Sequence, residues 1–131
     1  MSSRSIQNEA QWAGRILGAL VVLALLADAA VNLFAPEILK ADMDATGFAP
    51  SLAPALGIIM VVCAILYGVP RTSTLGAILI TGFLGGAICT HLRLGEIGSP
   101  PQLISLVLGI ITWVGLYLRN PTVRKLLPLS V

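Results

Sequence analysis

Residues 14–34, GRILGALVVLALLADAAVNLF, form an apolar stretch of helix length broken by one acid, Asp28. Crossing a hydrocarbon core takes about 20 helical residues. The stretch therefore reads as a membrane span with a carboxylate set inside it. An ionised carboxylate in hydrocarbon forfeits its hydration, so an intramembrane acid turns toward the bundle interior, a wet cavity or a partner. Asp28 is thus the first candidate for function, and the question is what it meets.

The rest of the chain extends this reading. Of its 131 residues, 56% are hydrophobic and 11% charged, with a mean hydropathy of +0.93. That composition is too apolar for an ordinary soluble domain. Proline, glycine and charge divide the sequence into four apolar runs, placing spans near 12–35, 51–69, 73–94 and 100–119. The expectation is an all-α bundle of four transmembrane helices, a single integral membrane domain over 1–131. Ala27-Asp28-Ala29 has the small-x-small look of a signal-peptide cleavage site, but the apolar run continues past it to Phe34. The span ends are punctuated. Ala35-Pro36 stops the first, Gly68-Val69-Pro70 the second, and Asn120-Pro121 the fourth. Ser99-Pro100-Pro101-Gln102 opens the fourth with the pattern of a capping box.

Four spans place both termini on one side of the membrane, together with the 69–73 connection. That side carries Arg4, Arg15, Arg71, Arg119, Arg124 and Lys125, while the opposite side carries only Lys40 and Arg93. The asymmetry predicts cytoplasmic N and C termini. Trp12, Tyr67, Trp113 and Tyr117 all fall in the cytoplasmic part of their spans, where an interfacial aromatic belt is expected. Glu37, Asp42, Asp44 and Glu96 fall outside. The basic residues act as topology signals, so nucleic acid is not an expected partner. The tail from Thr122 to Val131 is expected to rest on the inner leaflet. The 36–50 connection is the longest and is placed to cover the outer mouth.

Helical rise puts Asp28 about 10 Å, and Asn32 and His91 each about 4–5 Å, inside the outer ends of their helices. Arg93 and Glu96 follow at the interface. Asp28 and Asn32, spaced i and i+4, share a face, and Thr90 aligns with Arg93. If both faces look inward, Asp28 approaches His91 or Arg93 near the bundle axis. Histidine ordinarily titrates near about pH 6.5, so such a pair could exchange protons with a bound carbonyl or quinone. The other reading of Asp28 is a structural ion pair, or a hydrogen bond to Asn32, that fixes the bundle. Arg93 could equally snorkel to headgroups or hold a ligand anion. Gly82-x-x-x-Gly86, with Gly85, is a small-x-x-x-small pattern, read first as helix packing and second as a slot for a flat ligand.

Other chemistries lack their residues. Cys63 and Cys89 form no C-x-x-C motif, and their depths differ by about 9 Å, too far for a mutual disulfide. One histidine cannot supply bis-imidazole haem ligation, and His91, Asp28 and Glu96 make a weak metal set, so no metal is expected. There is no Walker loop and no dinucleotide fingerprint.

The third-span run GFLGGAICTHLRLG at 82–95, above all Gly85 to Arg93, followed by Leu116-Tyr117-Leu118-Arg119-Asn120-Pro121, resembles the DoxX-like family of small bacterial four-helix membrane proteins. The resemblance covers essentially the whole chain in length and span order. It implies a compact bundle in the bacterial inner membrane and marks Thr90, His91 and Arg93 as family-motif residues without an assigned catalytic role. The broader grouping is associated with quinone-linked thiosulfate oxidation and redox-stress complexes, so quinone is the cofactor it suggests.

The resulting expectation is an accessory or binding subunit, not an autonomous enzyme. It would hold a quinone, lipid or other small hydrophobic molecule beneath the outer mouth, with Asp28, Asn32, Thr90, His91 and Arg93 as the candidate ligand-binding or proton-exchange residues. A homo-oligomer or a subunit of a membrane complex is expected, and any reaction would be that of a quinone-linked oxidoreductase. The alternatives are a proton-coupled small-molecule transporter and a structural subunit of a larger redox complex.

Overall fold

A computed structural model describes residues 2–127, and among them all regular structure is helical. In chain order the helices are α1 (Ser3–Phe34), α2 (Lys40–Thr46), α3 (Ala53–Gly68), α4 (Ser73–Arg93), α5 (Pro100–Arg119) and α6 (Pro121–Leu126). Short 3-10 turns at Pro36–Leu39 and Pro50–Leu52 flank α2. Helices α1, α4 and α5, and the Pro50–Gly68 unit containing α3, are each long and apolar enough to cross a membrane. The first helix begins well ahead of position 12. Its 32 residues extend about 48 Å, against a hydrocarbon core of about 30 Å, so the polar turns around Gln7 to Gln11 project beyond it.

The spans close into a ring: α1 packs on α3 and α5, and α4 packs on the same two. Short connections make neighbours antiparallel, which leaves both termini at one end, here called proximal; the loop-bearing end is distal. Along α1 the buried positions are Gly14, Gly18, Val21, Leu25, Ala29 and Asn32. This spacing of three and four keeps one stripe facing inward. It meets Met60, Cys63, Ala64 and Tyr67 of α3, Ala77, Ile80 and Leu84 of α4, and Leu116 of α5. The outward faces are also apolar, with Leu23, Ile58, Ile78 and Ile104 exposed. A surface of that kind is unfavourable in water and ordinary against acyl chains.

Close helix approach is made by glycines other than those expected. A Cβ at Gly14 would lie 2.7 Å from both the Arg119 nitrogen and the Gly115 oxygen, and one at Gly18 would lie 3.1 Å from Arg119 Nη1. A Cβ at Gly76 would overlap the Tyr67 backbone, and one at Gly57 would fall 2.7 Å from Leu33 Cγ. Around Gly82, Gly85 and Gly86, by contrast, a Cβ would meet nothing within 4 Å. Among the described residues, then, the faces that these three glycines present border open space, although α5 packs on α4 at the same height through Leu84 and Ile88.

Tyr67 also departs from expectation. It belongs to no aromatic belt but is among the largest fully buried side chains, its hydroxyl donating to the Thr112 carbonyl at 2.7 Å. Arg119, read from sequence as a topology signal, folds back over the Tyr67 ring at 4.5 Å and donates from Nη2 to the Tyr67 carbonyl at 2.8 Å. That carbonyl lies in the last turn of α3, where a helix leaves acceptors unpaired. Asn120 caps α6 through Oδ1, which accepts from the Thr122 and Val123 nitrogens at 3.0 and 3.3 Å. Val123 is buried in the core, so this part of the tail is anchored on the bundle; residues 128–131 lie outside the described residues.

Candidate functional site

The distal end of the ring holds a cavity of about 760 Å³. Asp28 and Asn32 reach it from α1, and Gly82, Gly86, Thr90 and His91 from α4. Leu56 and Phe83 add apolar lining, while Asp42, Met43 and Phe48 of the 36–50 segment, with Ser99 and Pro100 at the start of α5, border the mouth. The room exists because Gly82 and Gly86, one turn apart on the face of α4 that turns to the cavity, carry no side chain. The feature resembling a packing motif is what keeps the cavity wall thin.

Asn32 is buried at 4% exposure. Its Nδ2 donates to the Asp28 carbonyl at 2.9 Å and lies 3.4 Å from Asp28 Oδ1. Both partners are acceptors, which fixes the orientation of the amide and leaves Oδ1 without a donor. The Asp28 carboxylate has no ion-pair partner among the described residues. His91 does not pair with it. His91 Nδ1 sits 2.6 Å from Glu96 Oε2, just beyond the end of α4. The expected approach of Asp28 to an imidazole or guanidinium near the axis is therefore replaced by two separate polar groups sharing one cavity. Thr90 lines the wall, with its hydroxyl donating to the Gly86 carbonyl at 2.9 Å.

Arg93 does not line the cavity. Its Nη2 donates to the Thr46 carbonyl at 2.7 Å, at the C-terminal end of α2. The reason is local: α2 ends on Gly47 at φ +80°, a left-handed cap that suits glycine and leaves a carbonyl turned toward α4. Arg93 thus ties the covering segment to the bundle.

The capping box before α5 forms only in part. Gln102 Oε1 accepts from the Gly98 nitrogen at 2.7 Å, one residue earlier than the motif requires. The Ser99 side chain caps nothing, and its Oγ is shielded from solvent without a hydrogen-bond partner. Pro100 and Pro101 contribute no N–H for it to accept.

Sequence reasoning missed the contribution of α2. Leu39, Met43 and Thr46 follow one another at helical spacing within an otherwise polar segment, and Met43 is buried. That short amphipathic signal was the available clue. Among the described residues no three His, Cys, Asp or Glu side chains gather as a metal would require. Gly85 borders a separate apolar groove of about 440 Å³ on the outer face between α4 and α5, beside Leu84, Gly109 and Trp113.

The cavity lining is therefore partly apolar and partly acidic: Asp28, Asp42 and Glu96 face it with one imidazole. Comparison with curated proteins and with solved structures finds no match. The sequence model of the DoxX-like family matches residues 16–115, a region that runs from the first turns of the membrane-spanning part of α1 almost to the end of α5 and contains the helical walls of the cavity. With that match over most of its length, this multi-pass membrane protein belongs to the DoxX-like family.

Proposed function

We propose that the protein is a small binding subunit of the bacterial inner membrane that holds an amphiphilic molecule beneath its distal loop, on the extracytoplasmic side. The observation that carries this reading is the distal cavity, which combines apolar lining at Leu56, Met43, Phe48 and Phe83 with polar groups at Asp28, Asn32, Thr90 and His91. Its volume falls within the range of about 300–1,000 Å³ common for small-molecule sites.

Of the two expected occupants, a lipid suits the wall better than a quinone. A quinone presents two acceptor oxygens and needs donors. Here the Asn32 amide is held on Asp28, the Thr90 hydroxyl on Gly86 and His91 Nδ1 on Glu96, leaving Ser99 Oγ, among the described residues, as an uncommitted hydroxyl near the mouth. The residues present do not fit a quinone.

Lipid and quinone mass spectrometry after purification in mild detergent tests the reading. Wild-type protein is expected to retain a bound amphiphile in stoichiometric amount, and Gly86→Leu, which fills the cavity, to lose it. Equal retention by both would refute the assignment. Transport is disfavoured by the layer below the cavity, where Val21, Met60, Ile80 and Leu116 from all four spans are fully buried. A role as an accessory subunit is compatible with binding, and the same preparation would then carry a larger partner in fixed ratio.

A further inference from the structure

We infer that the head group taken by this cavity is a primary ammonium borne on an amphiphile; the inference deepens the binding reading above and rests on it. The hydrogen-bonding capacity of the lining favours such a head group. Asn32, more than nine-tenths buried and lining the cavity, commits its nitrogen to Asp28, and its Oδ1 accepts no hydrogen bond from the described residues. The Asp28 and Asp42 carboxylates face the same space and have no ion-pair partners among the described residues. His91 commits its Nδ1 to Glu96 and offers no hydrogen bond from that nitrogen. Thr90 has committed its proton to Gly86 and keeps only lone pairs. Ser99 Oγ, unpartnered, can accept as well as donate.

Charge points the same way. Three carboxylates and one imidazole line the cavity, while the nearest guanidinium, Arg93, is committed to the Thr46 carbonyl outside it. A carboxylate or phosphate head would meet like charge, and a quinone or alcohol head would leave carboxylates without a counter-ion. A quaternary ammonium would offset part of that charge but offer no N–H to Asn32 Oδ1 or Ser99 Oγ. A primary ammonium supplies one positive charge and three donors, and the apolar lining at Leu56, Met43, Phe48 and Phe83 accepts the methylene chain behind it. Two sources share this chemistry: the head of an aminophospholipid and a free long-chain amine.

The test uses the full-length protein in nanodiscs of phosphatidylcholine and phosphatidylglycerol, titrated with dodecylammonium, dodecyltrimethylammonium, dodecanol and a decyl benzoquinone, with binding read by native mass spectrometry. Dodecylammonium is expected to form a one-to-one adduct. Asp28→Asn and the loop variant Asp42→Asn, both isosteric and checked for wild-type melting, should each weaken it about tenfold, the scale of losing one charge-assisted hydrogen bond. Nanodiscs containing phosphatidylethanolamine separate the sources: competition assigns the site to a lipid head, and absence of competition assigns it to a free amine. Equal binding by dodecanol, the quinone or dodecyltrimethylammonium overturns the ammonium assignment and leaves the cavity reading standing. If no probe binds, and Gly86→Leu retains as much co-purified amphiphile as wild type, both readings fall.

Discussion

Gly76 and Gly82 occupy the same helix and meet different surroundings. A side chain at Gly76 collides with the Tyr67 backbone, which cannot yield, whereas one at Gly82 enters open space. Gly76→Ala is expected to destabilise the fold by about 1–3 kcal/mol or more, while Gly82→Ala should be neutral or gain up to about 1 kcal/mol from helix propensity. A thiol-reactive dye melt can follow both, since Cys63 is buried and Cys89 exposed; Cys89→Ser removes the background signal. A lower melting temperature for Gly82→Ala than for Gly76→Ala would contradict the packing described. Tyr67→Phe should cost about 1 kcal/mol by removing the hydroxyl from the Thr112 carbonyl, read in the same assay. The sequence contains small-x-x-x-small pairs at Gly14 and Gly18 and at Gly82 and Gly86. Spacing alone does not distinguish them, because the pattern says that a face is thin and not whether a helix or a cavity lies across from it. Asp28 and Asn32 could be placed on one face from their spacing. The partner of His91 could not, since Glu96 comes within reach only through the turn that follows α4.

At the level of elements, two arginines act alike. Arg119 donates to a carbonyl in the last turn of α3, and Arg93 to the final carbonyl of α2. Each cation thus sits at the negative end of a helix other than its own, an arrangement favoured by the unpaired acceptors and the dipole there. Arg93→Ala is expected to release the 36–50 segment by about 1 kcal/mol or more, seen as faster amide hydrogen exchange in α2 with little change in the melting of the spans. Unchanged exchange there would show that Met43 packing alone holds the segment. The four spans were readable because each is a long apolar run bounded by proline or glycine, and their observed ends at Phe34, Gly68, Arg93 and Arg119 lie close to those breaks. The seven residues of α2 are too few for periodicity to stand out, so the cover of the cavity was legible as a long connection and not as a helix.

Across the whole molecule, the sided distribution of Lys and Arg bears on orientation. With the termini in the cytoplasm, a cysteine at Asp44 in a Cys63→Ser, Cys89→Ser background should react with an impermeant maleimide on intact cells stripped of the outer membrane, and one at Arg4 only after permeabilisation. The reverse pattern would turn the cavity toward the cytoplasm. The ring itself could be anticipated from four runs of similar length with short connections; that the cavity would open at one end followed only from where glycine, and not leucine, lines α4. Beneath it, Tyr67, Met60, Ile80, Leu116, Val21 and Thr112 are all sealed from solvent, and the Tyr67 and Thr112 polar groups are satisfied within that layer. A membrane crowded with this protein should therefore remain as good an insulator as lipid alone, and vesicles reconstituted with it should hold an imposed proton gradient for as long as protein-free vesicles do.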